Sequence, residues 1–361
     1  MEARKLKYNE LPRISFRWVR ANDLKLVEIP LKSLEYGKDP VVSGASRISP
    51  LDEITPARML GEYKGANQEE LDFVLKEARV RHHITSSQQE ELVSLKYHLS
   101  GEDTTLLELN VMEVRAGETL SVMMDYEGDD TAQFASVLNL INVAEGGILN
   151  LWKINRLPHG ARHIEQRYTR VADSGTVNYY SVELGARETV INYMTDLAEQ
   201  ATGILKSIYV GNEERIIDLS HHMNHFGKRS FCDMDVRGAL KDRARKYFRG
   251  TLDFKKGSAG SEGGEVETVT LLDKTVKAFA IPLLLCGEHD VIGNHAASAG
   301  QLDENQLFYL MSRGFTYEDA KRIIVESSFR PIIDLLPGDE LQEAIIERVG
   351  QLMGQVTAGE L

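Results

Sequence analysis

The sequence predicts a mainly β chain, built as a solenoid of stacked short strands with α-helical regions at both ends. Two observations lead there. From about residue 96 to residue 290, Val, Ile, Leu and Tyr dominate and single glycines break the runs, which is the punctuation of short strands. The same stretch also repeats. Val114-Arg-Ala-Gly117-Glu-Thr-Leu120 matches Val143-Ala-Glu-Gly146-Gly-Ile-Leu149 at an offset of 29 residues, and Ser181-Val-Glu-Leu-Gly185 matches Ser207-Ile-Tyr-Val-Gly211 at an offset of 26. In that second register Val190-Ile-Asn-Tyr193 matches Ile216-Ile-Asp-Leu219. Strands recurring at such a period suit coils that cannot bury their apolar faces alone and stack to share a core. A β-sandwich or jelly roll, whose turns recur about every 8–12 residues, accounts for the same strands and stays open at this point.

The elements divide into three regions: 1–95 mixed and partly helical, 96–292 the strand-rich core, and 293–361 helical. In the first, Gln68 to Ala78 is the clearest helical pattern. Near the end of the second, Gly257-Ser-Ala-Gly-Ser-Glu-Gly-Gly264 lacks the Gly-Lys-Ser/Thr ending of a phosphate loop and reads as a flexible loop. In the third, Asp303 and Glu304 open a helix whose stripe is Leu307, Leu310 and Met311, and Arg313 and Gly314 close it. Thr316-Tyr-Glu-Asp319 resembles a capping box for a helix burying Ala320, Ile323 and Ile324. Asp339 caps a last helix with Leu341, Ile345, Val349 and Leu352 on one face.

Composition narrows the function classes. With 361 residues, 42% hydrophobic and 27% charged, the chain has enough apolar content for a sizeable core. A formal net charge of −13 argues against a nucleic-acid binder, whose affinity comes from clustered Lys and Arg. The two cysteines, Cys232 and Cys286, exclude a disulfide scaffold and a four-cysteine zinc or iron–sulfur site within one chain. The longest apolar run, Ala278 to Cys286, is far short of the roughly 20 residues needed to span a bilayer, and no secretory h-region follows the N-terminus. The expected location is the cytoplasm, with no membrane partner.

Two clusters have residue types that hold metals. In His221-His-Met-Asn-His225, the first and last imidazoles are four residues apart and share a face in a helix or a strand. No carboxylate or cysteine supports them at a matching spacing, so solvated or core-edge histidines are the preferred reading. The second cluster, Cys286-Gly-Glu288-His289-Asp290 followed by Gly293-Asn-His295, gathers one thiol, two carboxylates and two imidazoles. Cysteine and histidine suit iron or zinc, with carboxylate a tolerable third donor. The competing reading has Cys286 ending a buried strand as a small hydrophobe.

The run from Gly293 through His295-Ala-Ala-Ser-Ala-Gly-Gln-Leu-Asp-Glu-Asn-Gln-Leu-Phe-Tyr-Leu-Met-Ser-Arg-Gly314 to Phe315 resembles the signature of the SufB/SufD family, S-H-G-A-T-x-G-x-L-D-E-x-x-L-F-Y-L-x-S-R-G. Gly238-Ala-Leu-Lys-Asp-Arg-Ala-Arg-Lys-Tyr-Phe-Arg-Gly250 resembles the family's G-V-L-x-x-x-A-x-x-x-F-x-G coil, and a weaker similarity covers Leu11 to Asn22. The resemblance implies a right-handed parallel β-helix between helical ends and a non-ATPase role in Suf iron–sulfur cluster assembly. It also implies docking of the ABC-type ATPase SufC on the C-terminal helices and pairing with a SufB-type chain or a second copy through the β-helix. ATP hydrolysis then belongs to SufC, and the chain is a scaffold rather than an enzyme.

By the same resemblance, His295 falls on the SufD-type histidine implicated in cluster assembly, where SufB-type chains have a glutamate. It is the expected ligand for a transient iron–sulfur cluster or iron shared with a partner chain, with Cys286 and Glu288 as further candidates. Gly293 stands where some SufD proteins have a cysteine, and the sulfur-accepting cysteine of SufB has no counterpart between Thr268 and Leu272. Two other classes compete: a cytoplasmic β-helix carbohydrate-active enzyme, which works through converging carboxylates, and a homodimeric iron-binding or interaction protein.

Overall fold

The computed structural model describes residues 5–11, 21–27, 40–52, 55–101, 104–129 and 133–354. Most of the segment from Leu11 to Asn22 thus lies outside the described residues. Ahead of the core lie β1 (Lys5–Tyr8) and β2 (Leu24–Val27), paired antiparallel, the short strands β3 (Val41–Ser43) and β4 (Ile48–Pro50), and the helices α1 (Thr55–Leu60) and α2 (Gln68–Glu77). Asn67 caps α2 by accepting the Glu70 N–H.

The core is a parallel β-solenoid of about seven turns. One wall consists of β5 (Val80–Thr85), β7 (Thr105–Val114), β9 (Phe134–Val143), β11 (Arg162–Val171), β13 (Glu188–Leu197), β15 (Ile216–His225), β17 (Arg245–Phe254) and β19 (Lys277–Cys286). The facing wall consists of β6 (Leu92–Leu99), β8 (Thr119–Gly128), β10 (Ile148–Asn155), β12 (Thr176–Glu183), β14 (Thr202–Gly211), β16 (Phe231–Leu240), β18 (Ser261–Leu271) and β20 (Val291–Gln301). The chain alternates between walls, so each strand pairs with the one two places on, always in parallel. That connectivity excludes the sandwich. β3 and β4 add antiparallel at the first coil.

The repeat read from the sequence is the stacking register itself. Leu120 and Leu149 are ladder partners, and Gly117 and Gly146 turn the same corner one coil apart with φ of 67° and 63°. Only a residue without a Cβ takes that left-handed conformation at no steric cost. Ser181 and Ser207 are likewise partners. The extension of that register to Val190 is corrected: Val190 stands beside Asp218, and Glu188 beside Ile216. β14 runs two residues beyond β12, so the offset grows by two at that corner. A shift of two keeps every side chain on its own face.

Side chains alternate between the lumen and the outside. Val122, Leu151, Tyr179, Leu205 and Met234 form one lumen column, fully buried against the facing wall. Outside, β1, β2, α1 and α2 cover β7, β9 and β11 through Leu107, Leu109, Leu138 and Ile164. The opposite wall is covered at Ile154, Val182 and Ile208 by Val325, Phe329 and Ile333 of α4 (Tyr317–Ile333) and Ile345 and Val349 of α5 (Asp339–Met353). No helix among the described residues is long and apolar enough to cross a membrane.

The solenoid begins before residue 96 and ends after residue 292. β5 already pairs with β7 from Val80, and β20 runs to Gln301. The segment Gly257–Gly264 is ordered: its first half is a turn in which the Gly260 N–H donates to Asp290 O at 2.6 Å, and its second half belongs to β18. In the C-terminal region α3 (Glu304–Ser312) is capped by Asp303, but only Leu307 of its stripe is buried, and Met311 is exposed. Thr316 caps α4 as read, whereas Ile323 and Ile324 are half-buried and Val325 and Phe329 take the inner positions. Gly338 holds the cap position of α5, and Asp339 opens its first turn, where a carboxylate suits the helix dipole.

Candidate functional site

The last coil, β19 and β20, is the open end of the solenoid, with both strands at sheet edges. Pro282 sits in β19, which an edge strand tolerates because its missing N–H costs no ladder bond. β20 is unusual for a strand in having almost every residue exposed, on both faces. It carries His295 beside Glu265 of β18, on the lumen side.

Cys286 ends β19, exposed, beside Phe254. It is therefore not the buried strand-ending thiol that a hydrophobic role requires. Glu288 follows in the corner, where its carboxylate accepts the N–H of Gly257 at 3.0 Å and of His289 at 2.8 Å. Those backbone donors hold its carboxyl below the ordinary carboxylate range. Both bonds tie the Glu288 side chain to the backbone of the corner. Among the described residues no three His, Cys, Asp or Glu side chains converge as a metal-holding group, so His295, Cys286 and Glu288 do not form a complete ligand set within the chain.

His221 and His225 both point into the lumen from β15 but have separate environments. His221 lies between the rings of Tyr193 (5.2 Å) and Phe248 (5.9 Å), and neither ring nitrogen has a partner. Burial, reinforced by the Arg167 charge, pushes its pKa down to about 3. His225 stacks on Phe254 at 4.5 Å, with Nδ1 2.7 Å from Ser230 Oγ and Nε2 3.3 Å from Cys232 Sγ. Burial pushes it down to about 4. Burial also raises the Cys232 thiol well above its ordinary value, so the pair is a neutral imidazole against a neutral thiol.

A buried polar network inside the lumen escaped the sequence reading. Asn110 donates to Asn139 Oδ1 at 2.9 Å, and Asn139 donates to Glu165 Oε1 at 2.9 Å. Arg167 also donates to that oxygen at 2.6 Å, and the Tyr193 hydroxyl donates to Oε2 at 2.7 Å. Lys153 bridges onward to Glu183 at 2.5 Å. Burial alone would raise the Glu165 carboxyl, but Arg167 and Lys153 override it and hold the group at about 2. Polar residues at alternate positions, as in His163-Ile-Glu165-Gln-Arg167, read as a solvent face in a sequence. Here that face is the lumen, and the charges are satisfied by one another across the coils.

Beyond the last coil, Phe308, Tyr309 and Met311 of α3, with Phe315 and Tyr317 after it, expose large apolar surface, Phe308 to 75%. Such surfaces mark binding faces when they cluster.

Comparison with known proteins agrees with this architecture. The SufBD core domain of the SUF system for FeS cluster assembly matches residues 97–328. The iron-sulfur cluster assembly protein SufD of Bacillus subtilis (strain 168) is 31% identical over 160 residues, covering 44% of this chain and 37% of that protein. SufD of Escherichia coli (strain K12) is 25% identical over 229 residues, 62% of this chain and 53% of that protein. An iron-sulfur cluster assembly SufBD family protein of Mycobacterium leprae (strain TN) is 22% identical over 252 residues, 67% and 63% of the two chains. The chain thus spans about half the length of the curated relatives it matches. With the core domain matched over well over half of its length and the β-solenoid that carries it in place, the chain belongs to the SufBD family of iron–sulfur cluster assembly proteins.

Proposed function

We propose that the chain acts as a SufD-like, non-ATPase subunit of a Suf complex, in which a SufC-type ABC ATPase supplies ATP hydrolysis and a SufB-type chain or a second copy completes the assembly site. The open end of the solenoid carries this reading. Among the described residues β19 and β20 have ladder edges of about ten residues each without a partner strand, a length over which an added strand gains affinity from main-chain hydrogen bonds. His295 lies on that coil, so a partner seated there would bring its ligands alongside it. Among the described residues no three metal-holding side chains converge, which suits a shared, transient cluster or iron site completed by a partner. Cys286, exposed on the same coil, is the further thiol available to it.

The exposed apolar face of α3 is the docking surface for the ATPase, and the mixed region before β5 and the helices after β20 serve as the two flanks of the assembly core. The working location is the cytoplasm. An anaerobic pull-down with SufC- and SufB-type chains, read by visible absorption, tests the reading. Co-purification with a broad iron–sulfur absorption is expected, and His295→Ala is expected to lose the absorption while keeping the complex. Full complementation by His295→Ala in an assembly-deficient strain removes His295 from the mechanism, and failure to bind either partner overturns the subunit assignment.

A further inference from the structure

Among the described residues five glutamates face the lumen, and four of them are satisfied. Tyr126 and Asn110 donate to Glu108, Arg167 and Tyr193 to Glu165, Lys153 and Asn155 to Glu183, and Tyr209 and Lys246 to Glu267. Glu265 is the exception. Both of its carboxylate oxygens are buried without a hydrogen-bond partner, and the side chain as a whole has no exposed surface. A buried carboxyl left without a hydrogen-bond partner is costly in general, so native folds rarely keep one without a use.

Its position suggests that use. Glu265 and His295 are ladder partners on β18 and β20, so their side chains leave the same face of strands about 4.7–4.9 Å apart. A single ion about 2.0–2.2 Å from each donor fits between side chains at that separation, after rotation of Glu265 about its χ angles. The fold also makes room for the carboxylate. Gly250 faces it from the opposite wall, and a Cβ there would lie 2.0 Å from Oε1. In the coil above, Ala280, Pro282, Gly293 and Ala297 supply compact lumen side chains around His295, with Leu284 packed over Gly293. Glu267, two residues on, is engaged by Lys246 at 2.7 Å and leaves Glu265 unshared.

We propose that Glu265 is a carboxylate ligand for iron(II) at the mouth of the lumen, forming with His295 a two-residue half-site whose remaining positions are filled from outside the chain. One imidazole and one carboxylate are donors that iron(II) accepts, and two donors leave the remaining positions for ligands from outside the chain. The inference rests on the reading of His295 as a ligand. It adds the residue that receives iron on this chain's side of the interface.

The test is titration of the full chain with cobalt(II) and, anaerobically, with iron(II), followed by visible absorption and calorimetry. Wild type, Glu265→Gln, His295→Ala and the double variant are compared. Wild type is expected to bind one ion, each single variant about tenfold or more weakly, and the double variant at least as weakly as the weaker single. Glu265→Gln is expected to melt no lower than wild type, since it replaces a buried carboxyl whose two oxygens have no hydrogen-bond partner. Glu265→Asp, which keeps the carboxylate one methylene short, is expected to retain part of the affinity. Loss of metal in His295→Ala with wild-type affinity in Glu265→Gln overturns this proposal and leaves the His295 reading standing. Wild-type affinity in both variants, or no binding by wild type, overturns the half-site altogether.

Discussion

Arg249 and Asp218 form a buried ion pair on the outer face of the solenoid, and the same two side chains hold the N-terminal segment against it. Arg249 Nε donates to Ala21 O at 3.2 Å, and Asn9 Nδ2 donates to Asp218 Oδ1 at 2.7 Å. The pair is less a source of stability than a fastening, because both charges lost water to reach it.

Breaking that fastening from one side leaves a buried charge without its partner. Asp218→Ala is expected to cost about 3–5 kcal/mol in urea denaturation. Replacing both members by apolar residues is expected to cost much less. In the single variant, limited proteolysis should cleave first between β1 and β2, with the solenoid surviving longer.

The C-terminal helices depend on Phe329, fully buried among Val325, Ile333 and Ile345 over the β10–β14 wall. Phe329→Ala is expected to cost about 3–5 kcal/mol through the lost contact and the cavity. Trp152→Phe should cost about 1 kcal/mol, since it keeps the stack on Tyr180 and loses the Nε1 donation to Leu335 O at 2.8 Å. Hydrogen exchange should show the Phe329 variant opening α4 and α5 before any coil.

Acid should weaken the fold through its buried imidazoles. His221 and His225 titrate at about 3 and about 4 in the folded chain, against about 6.5 when unfolded. His163 is lowered in the same direction by burial. Between those values the unfolded chain binds more protons, so stability falls as pH drops from about 7 towards 4, by up to about 1.4 kcal/mol per pH unit for each histidine. His221→Phe keeps a ring between Tyr193 and Phe248 and is expected to flatten the acid limb of a melting-temperature profile. An unchanged slope would show that His221 contributes nothing to it.

The apolar face of α3 should matter for association and not for folding. Phe308→Ser combined with Phe315→Ser is expected to leave the melting temperature within a degree or two and to abolish co-elution with a SufC-type ATPase in gel filtration. Retained co-elution would move the docking surface elsewhere.

Much of the architecture was legible in the sequence because the coils stack residue on residue. Ser181 over Ser207 and Leu120 over Leu149 appear as repeats in the chain and as neighbours in the ladder. The register failed at Val190, where β14 lengthens, since a corner changes length without leaving a compositional mark. Sequence placed His295 near the end of the core but not on a strand, because Asn294, Ala296, Ala297 and Gly300 have little of the usual strand character. Glu265, Arg167 and Lys153 gave no sign of burial. Glu183 satisfies Lys153 from the next coil, Gly250 frames Glu265 from across the lumen, and the Glu165 that pairs with Arg167 two residues away is itself held by groups from other coils.

The two-residue lengthening after Tyr209 bears on how such a chain can diverge. Tyr209 donates its hydroxyl to Glu267 at 2.9 Å from inside the lumen. An insertion of two residues at a corner moves later side chains along the wall without turning them over, and so passes selection. One residue within a strand would invert every side chain to the next corner, exposing the tyrosine's successors and burying their neighbours. Insertions and deletions among relatives should therefore gather at the corners, and within strands they should come in even numbers.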